Sequence, residues 1–106
     1  ARVADAFALA GGSARMGQPY PGWKPDPKAR ILALLSDLYR RRTGHAPAVD
    51  SVHAGLECAI LGAIYPNWEM ASIGPNIRSP HSPDERVEAA SVAAFWTLLT
   101  DTLEAV

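Results

Sequence analysis

"PAVDSVHAGLECAILGAIYPNWEMASIG", residues 47–74, is the stretch on which the fold class turns. PAVDSV (47–52) reads as a short strand. HAGLECAILGAIYP reads as a turn and then a helix from about Leu56 to Ile64, closed by Pro66. EMASIG (69–74) reads as a second short strand, and PNIRSP leaves it. A strand, a connecting helix and a second strand in this order are the unit of a parallel sheet. A right-handed crossover would bring the loops leaving both strands to one sheet edge. Those loops carry His53 and the segment SPHSPDERVE (79–88). In open α/β sheets ligands bind just outside the carboxyl ends of strands.

Further out, each flank adds a helix. Asp26-Pro27 is a helix opening, with Asp as N-cap and Pro at the first helical position. Ile31, Leu34, Leu35 and Leu38 follow on one face. Arg40, Arg41 and Arg42 fill the last turn, and Gly44 stops it. At the other end Val92, Phe95, Trp96, Leu99 and Leu103 form one face of a helix that runs to the C-terminus. From residue 26 the order is α-β-α-β-α, which predicts an α/β architecture: a mixed, mostly parallel layered sheet with helices.

Upstream, Val3, Ala6, Phe7 and Ala10 have helical spacing, and Gly11-Gly12 end that element. PYPGWKPDP (19–27) then holds four prolines and a glycine in nine residues, a composition that excludes a helix or a central strand. It reads as a stiff connector and a domain boundary. The opening ARVADAFALA has no cap before it and residue 1 is not Met, so the sequence reads as part of something larger.

Composition excludes several classes. Hydrophobic residues are 48% and charged residues 20%, a globular balance rather than a disordered one. Ten basic and eleven acidic residues give a net charge of −1, so neither nucleic acid nor an anionic membrane is an expected partner. No apolar run approaches the roughly 20 residues of a membrane span, and no signal peptide is evident. Cys58 is the single cysteine, so no internal disulfide forms, which fits a reducing, cytoplasmic setting.

Among residues able to carry chemistry, His81 stands out. A neutral imidazole is a good zinc ligand, and Pro80 and Pro83 stiffen the chain on both sides of it. Pro80 also biases Ser79 toward extended backbone. The same segment reads equally as a helix start, with Ser82 as N-cap, Pro83 first and Glu85 as reciprocal cap, leaving His81 an exposed bystander. His53 and Glu57, four apart, would share a helix face, or be a loop histidine and a carboxylate favouring the helix dipole. His45 reads as solvated. GGSARMGQ lacks the glycine patterns of nucleotide loops, and no Gly-x-Ser-x-Gly elbow occurs.

Three segments go further together: YPGWKPDP (20–27), VHAGLECAI (52–60) and SIGPNIRSPHSPDERVEAASVAAFW (72–96). Their order and spacing resemble the C-terminal part of aminoacylhistidine (Xaa-His) dipeptidases, carboxypeptidase-like metallopeptidases with two zinc ions. The resemblance implies that residues 1–19 end a lid domain of the dimerisation type. Residues 20–27 would be the hinge, and 28–106 the C-terminal part of the catalytic domain. It implies that His81 is the last metal ligand, and that Gly55 meets substrate through its backbone amide, with Glu57 and His53 nearby. In such enzymes two divalent metal ions, zinc in the first instance, hold a bridging water and polarise the scissile carbonyl. The general base and the other ligands lie in the N-terminal half of family members, and no stretch here matches them. This chain has Ala59 where the family usually has Gly, and Ser79-Pro80 where it usually has Gly-Ala.

On that footing the expectation is a fragment of a zinc dipeptidase, inactive alone, with dipeptides as substrate and a homo-oligomeric parent. The alternative is a free-standing, non-catalytic α/β interaction module.

Overall fold

A computed structural model describes residues 2–52 and 55–106. Among these residues four helices and one two-stranded sheet form: α1 (Arg2–Leu9), α2 (Arg30–Thr43), α3 (Glu57–Ile64), β1 (Ile77–Arg78), β2 (Arg86–Val87) and α4 (Ala89–Ala105).

The helices stop where their sequences say they should. Past α1, Gly11 takes φ 78°, its N–H reaches the Ala8 carbonyl at 3.0 Å, and the Gly12 N–H reaches that of Phe7 at 2.8 Å. That pair of bonds is a Schellman closure, which requires a left-handed residue. Gly44, at φ 81°, ends α2 by donating to the Arg40 carbonyl at 2.8 Å. The arginines before it are used locally. Arg40 and Arg41 meet Asp37 at 3.0 and 2.6 Å, and Arg42 Nε donates to Asp101 of α4 at 2.6 Å. The hydrogen bond from Arg40, and then the Arg41 charge, hold the Asp37 carboxyl below its ordinary range.

The start of α2 differs from expectation. Asp26 does not cap the helix. Its carboxylate accepts the Lys28 N–H at 2.9 Å, closing a turn one step earlier, and Ala29 occupies the N-cap position without a side-chain cap. The carboxylate at the helix entrance comes from Glu69. It accepts the Arg30 backbone N–H at 3.1 Å and the Arg30 Nε at 3.2 Å. An N-terminal helix carries unpaired N–H groups and a positive dipole end, so an acceptor from any part of the chain serves. Glu69→Ala is expected to lower stability by about 1 kcal/mol, with Glu69→Gln retaining part of that, read from denaturant midpoints.

Helix α2 packs against α4. On α4 Thr102 is buried and Ser91, Phe95, Leu98 and Leu99 are half-buried, while Val92, Trp96 and Leu103 are exposed. Of the face expected, Phe95 and Leu99 are half-buried and Val92, Trp96 and Leu103 are not. Thr102 is buried with its hydroxyl donating to the Leu98 carbonyl at 2.7 Å. The buried apolar residues are Ala29, Leu35 and Ala59.

The sheet also differs. Segments 47–52 and 69–74 are without ladder bonds, and among the described residues no strand lies beside them. A strand exists only where a neighbour accepts its hydrogen bonds. The sheet present is an antiparallel pair, Ile77 opposite Val87 and Arg78 opposite Arg86. Its connection is the SPHSPDE segment. Helix and strand thus coexist in the chain, without the parallel pairing expected of 47–52 and 69–74.

Candidate functional site

The hairpin loop is built from the bonds that suggested a helix start. The Ser82 hydroxyl donates to the Ser79 carbonyl at 2.9 Å and accepts the Asp84 N–H at 3.2 Å. The Glu85 N–H returns to the Ser82 carbonyl at 3.0 Å. The Glu85 carboxylate accepts the N–H of His81 at 2.6 Å, one residue before the position a capping box would use. One turn forms and stops, because Arg86 and Val87 pair with Arg78 and Ile77. Helix α4 begins only at Ala89.

Ser79 and His81 have φ of 50° and 62°, so neither is extended, and the bias set by Pro80 does not prevail at Ser79. Left-handed backbone at a residue with a Cβ costs roughly 1–3 kcal/mol and persists where surrounding bonds enforce it. The Ser82 and Glu85 bonds do so. They leave His81 exposed at the tip, and among the described residues its imidazole makes no hydrogen bond or ion pair. Below the loop, Glu88 pairs with Arg78 at 3.2 Å and donates its N–H to the Asn76 carbonyl at 2.9 Å. Ser91 accepts the Asn76 N–H at 2.8 Å. These bonds fix the hairpin to the start of α4.

Gly55 and Glu57 lie at the start of α3, both exposed, with Glu57 in its first turn. Tyr20 reaches them from the proline-rich connector. Its hydroxyl donates to the Leu56 carbonyl at 2.8 Å, and its ring covers Gly55. His53 lies outside the described residues. Among those described, no hydrogen bond or ion pair joins the hairpin to α3. Gly55 and Glu57 thus lie together at the start of α3, and His81 lies on the hairpin loop.

Among the described residues no three of His, Cys, Asp and Glu cluster closely enough to hold an ion. In the His81 loop the Glu85 carboxylate is turned onto the backbone. Zinc takes about four ligands. The described residues thus offer one candidate ligand, His81, and do not by themselves fit a metal site.

His45 is exposed, as expected, and its ring also meets Tyr39 edge-on, with centroids 5.6 Å apart. A cavity of ≈ 490 Å³ lies between the connector and α3, lined among others by Trp23, Lys24, Gly62, Trp68 and Met70. Trp68 stacks on Tyr65, with ring centroids 4.1 Å apart. Sequence reasoning missed the roles of Glu69 and Tyr20, since neither carries a local pattern. Cys58 is half-buried on α3 with a free thiol. No helix among the described residues is long and apolar enough to cross a membrane.

No family model matches the sequence. Over 96 residues, 91% of this chain, it is 44% identical to the cytosol non-specific dipeptidase of Escherichia coli (strain K12). The chain spans about a fifth of the length of that relative, 20%.

Proposed function

We propose that these residues are part of a longer dipeptidase, a peptide hydrolase of the cytoplasm, and do not hydrolyse peptides alone. The observation that carries this reading is the 44% identity, across nearly the whole chain, to a dipeptidase. It agrees in reaction class with the resemblance carried by HAGLEC and HSPDERVE. The two differ in breadth: the relative is named non-specific, the resemblance points to Xaa-His. The substrate class proposed is therefore dipeptides, with Xaa-His among them.

In this reading His81 is the last ligand of a centre holding two divalent metal ions, zinc in the first instance. Its remaining ligands and the general base come from elsewhere in the parent. The exposed imidazole on a braced loop suits a ligand offered to partners outside the chain. Gly55 presents its backbone amide to the substrate, and Glu57 and His53 border the pocket. Residues 1–19 end a lid, 20–27 form the hinge, and 28–106 belong to the catalytic domain. Segments 47–52 and 69–74 become strands of a layered, mostly parallel sheet by pairing with parts of the parent that precede residue 1. The parent is a homo-oligomer.

The test is twofold. The native reading frame should continue upstream through a His-x-Asp and a Glu-Glu pair. The encoded protein should cleave a panel of dipeptides that includes Xaa-His, and residues 1–106 alone should cleave none. A start and stop bracketing these residues would favour a non-catalytic module, and a longer protein inert on every dipeptide would refute the enzyme reading.

A further inference from the structure

We propose that Tyr20 is a positioning residue, a latch that joins the proline-rich connector to the Gly55–Leu56 backbone and so sets the aim of the substrate-contacting start of α3. The inference rests on the dipeptidase reading for what that segment contacts, but the latch itself is geometric.

Gly55 has no conformational need to be glycine, since its φ lies outside the left-handed region. What a side chain there would meet is the Tyr20 ring. A Cβ at residue 55 would meet Tyr20 Cζ at 3.3 Å, Cε1 at 3.5 Å and Oη at 3.6 Å, and these three nearest atoms all belong to Tyr20. The first of those distances is tighter than an ordinary van der Waals contact, so the ring or the backbone would have to give.

The next residue supplies the second hold. Leu56 is the N-cap of α3 and offers no side-chain cap. Its carbonyl accepts the Ala59 N–H at 2.9 Å and also the Tyr20 hydroxyl at 2.8 Å. The entry angle of α3 is thus fixed from outside the helix, by a residue 36 positions earlier. Tyr20 stands between Pro19 and Pro21, whose rings limit the backbone on either side, so little freedom is lost in holding the ring in place.

The experiment uses the full-length protein with four changes: Tyr20→Phe, Tyr20→Ala, Gly55→Ala, and Tyr20→Ala with Gly55→Ala. Tyr20→Phe keeps the ring and loses the hydrogen bond, and should raise KM roughly two- to tenfold with kcat held. Gly55→Ala should raise KM roughly tenfold in the parent but less than about twofold in the Tyr20→Ala background, because the clash has been removed. The same four proteins give a second cycle in Tm, which needs no turnover: Gly55→Ala should lower Tm only when Tyr20 is present. Equal costs of Gly55→Ala in both backgrounds, in KM and in Tm, would overturn the latch. If no form hydrolyses dipeptides, the enzyme reading fails, and the Tm cycle alone decides whether the latch stands.

Discussion

His81→Ala in the full-length protein is expected to reduce dipeptide hydrolysis by more than about a hundredfold while leaving the circular dichroism spectrum and Tm nearly unchanged. Removing an outer partner of a metal ligand costs roughly 10–100-fold, so loss of a ligand itself should exceed that range. The small structural cost follows from the loop. The His81 backbone N–H, not its imidazole, carries the bond to Glu85, and Ser82 holds Ser79 without it. The side chain is exposed, so no cavity is left behind. Metal content, measured by elemental analysis on the purified variant, should fall with activity. Wild-type turnover in His81→Ala would end the ligand assignment. So would zinc binding at micromolar affinity or better by residues 1–106 that persists in the same variant.

The backbone of the loop adds a constraint. At φ 62° a histidine sits where glycine and asparagine are more at ease, and the Glu85 carboxylate is what holds it. Nothing in the string SPHSPDE announces that conformation. Its residues spell a helix start, and every bond of a helix start is nearly made. The outcome is decided by Ile77 and Arg78, which claim Val87 and Arg86 as partners. A local pattern was legible and its continuation was not, because the competing bond comes from outside the window.

The same division runs through the fold. Helices α1, α2 and α3 were legible because periodic apolar residues, Gly11, Gly44 and Pro66 act within a few residues of themselves. The cap of α2 was not, since Glu69 lies 39 residues from Arg30. The face of α4 was legible only in part, because apolar residues surround most of the helix. Phe95, Leu98 and Leu99 are half-buried while Val92 and Trp96 are exposed, and helix α2 packs against this helix. The strands at 47–52 and 69–74 show the limit most plainly. Composition can nominate a strand, but only a neighbour can make one. At the site, spacing alone left His81 open between ligand and bystander, and the HAGLEC and HSPDERVE motifs carried the functional reading through resemblance.

Those unpaired segments lead to the second large effect: residues 1–106 in isolation are expected to associate rather than remain monomeric. A compact monomer of 11.3 kDa exposes about 5,700 Å². This chain exposes 8904 Å², and its radius of gyration is 18.6 Å where about 13 Å is usual for its length. The surplus of roughly 3,200 Å² is several times the ~800 Å² that one partner contributes to a standard interface. It includes large apolar side chains: Val92, Trp96 and Leu103 on the outer side of α4, Val3 and Phe7 on α1, and Val49 and Val52 in an unpaired extended segment. Apolar surface of that extent, beside backbone groups without ladder partners, favours any contact that covers both. Light scattering at high micromolar concentration should therefore report a dimer or larger. Trp96, 63% exposed, is the largest group on the α4 strip, so Trp96→Lys should shift the mass distribution downward without lowering helix content. In the longer protein proposed above, the same lysine should instead lower Tm if further chain packs on this side of α4. A clean monomer of residues 1–106 across the concentration range would contradict the argument, because it would mean that the exposed area is matched by no tendency to bury it.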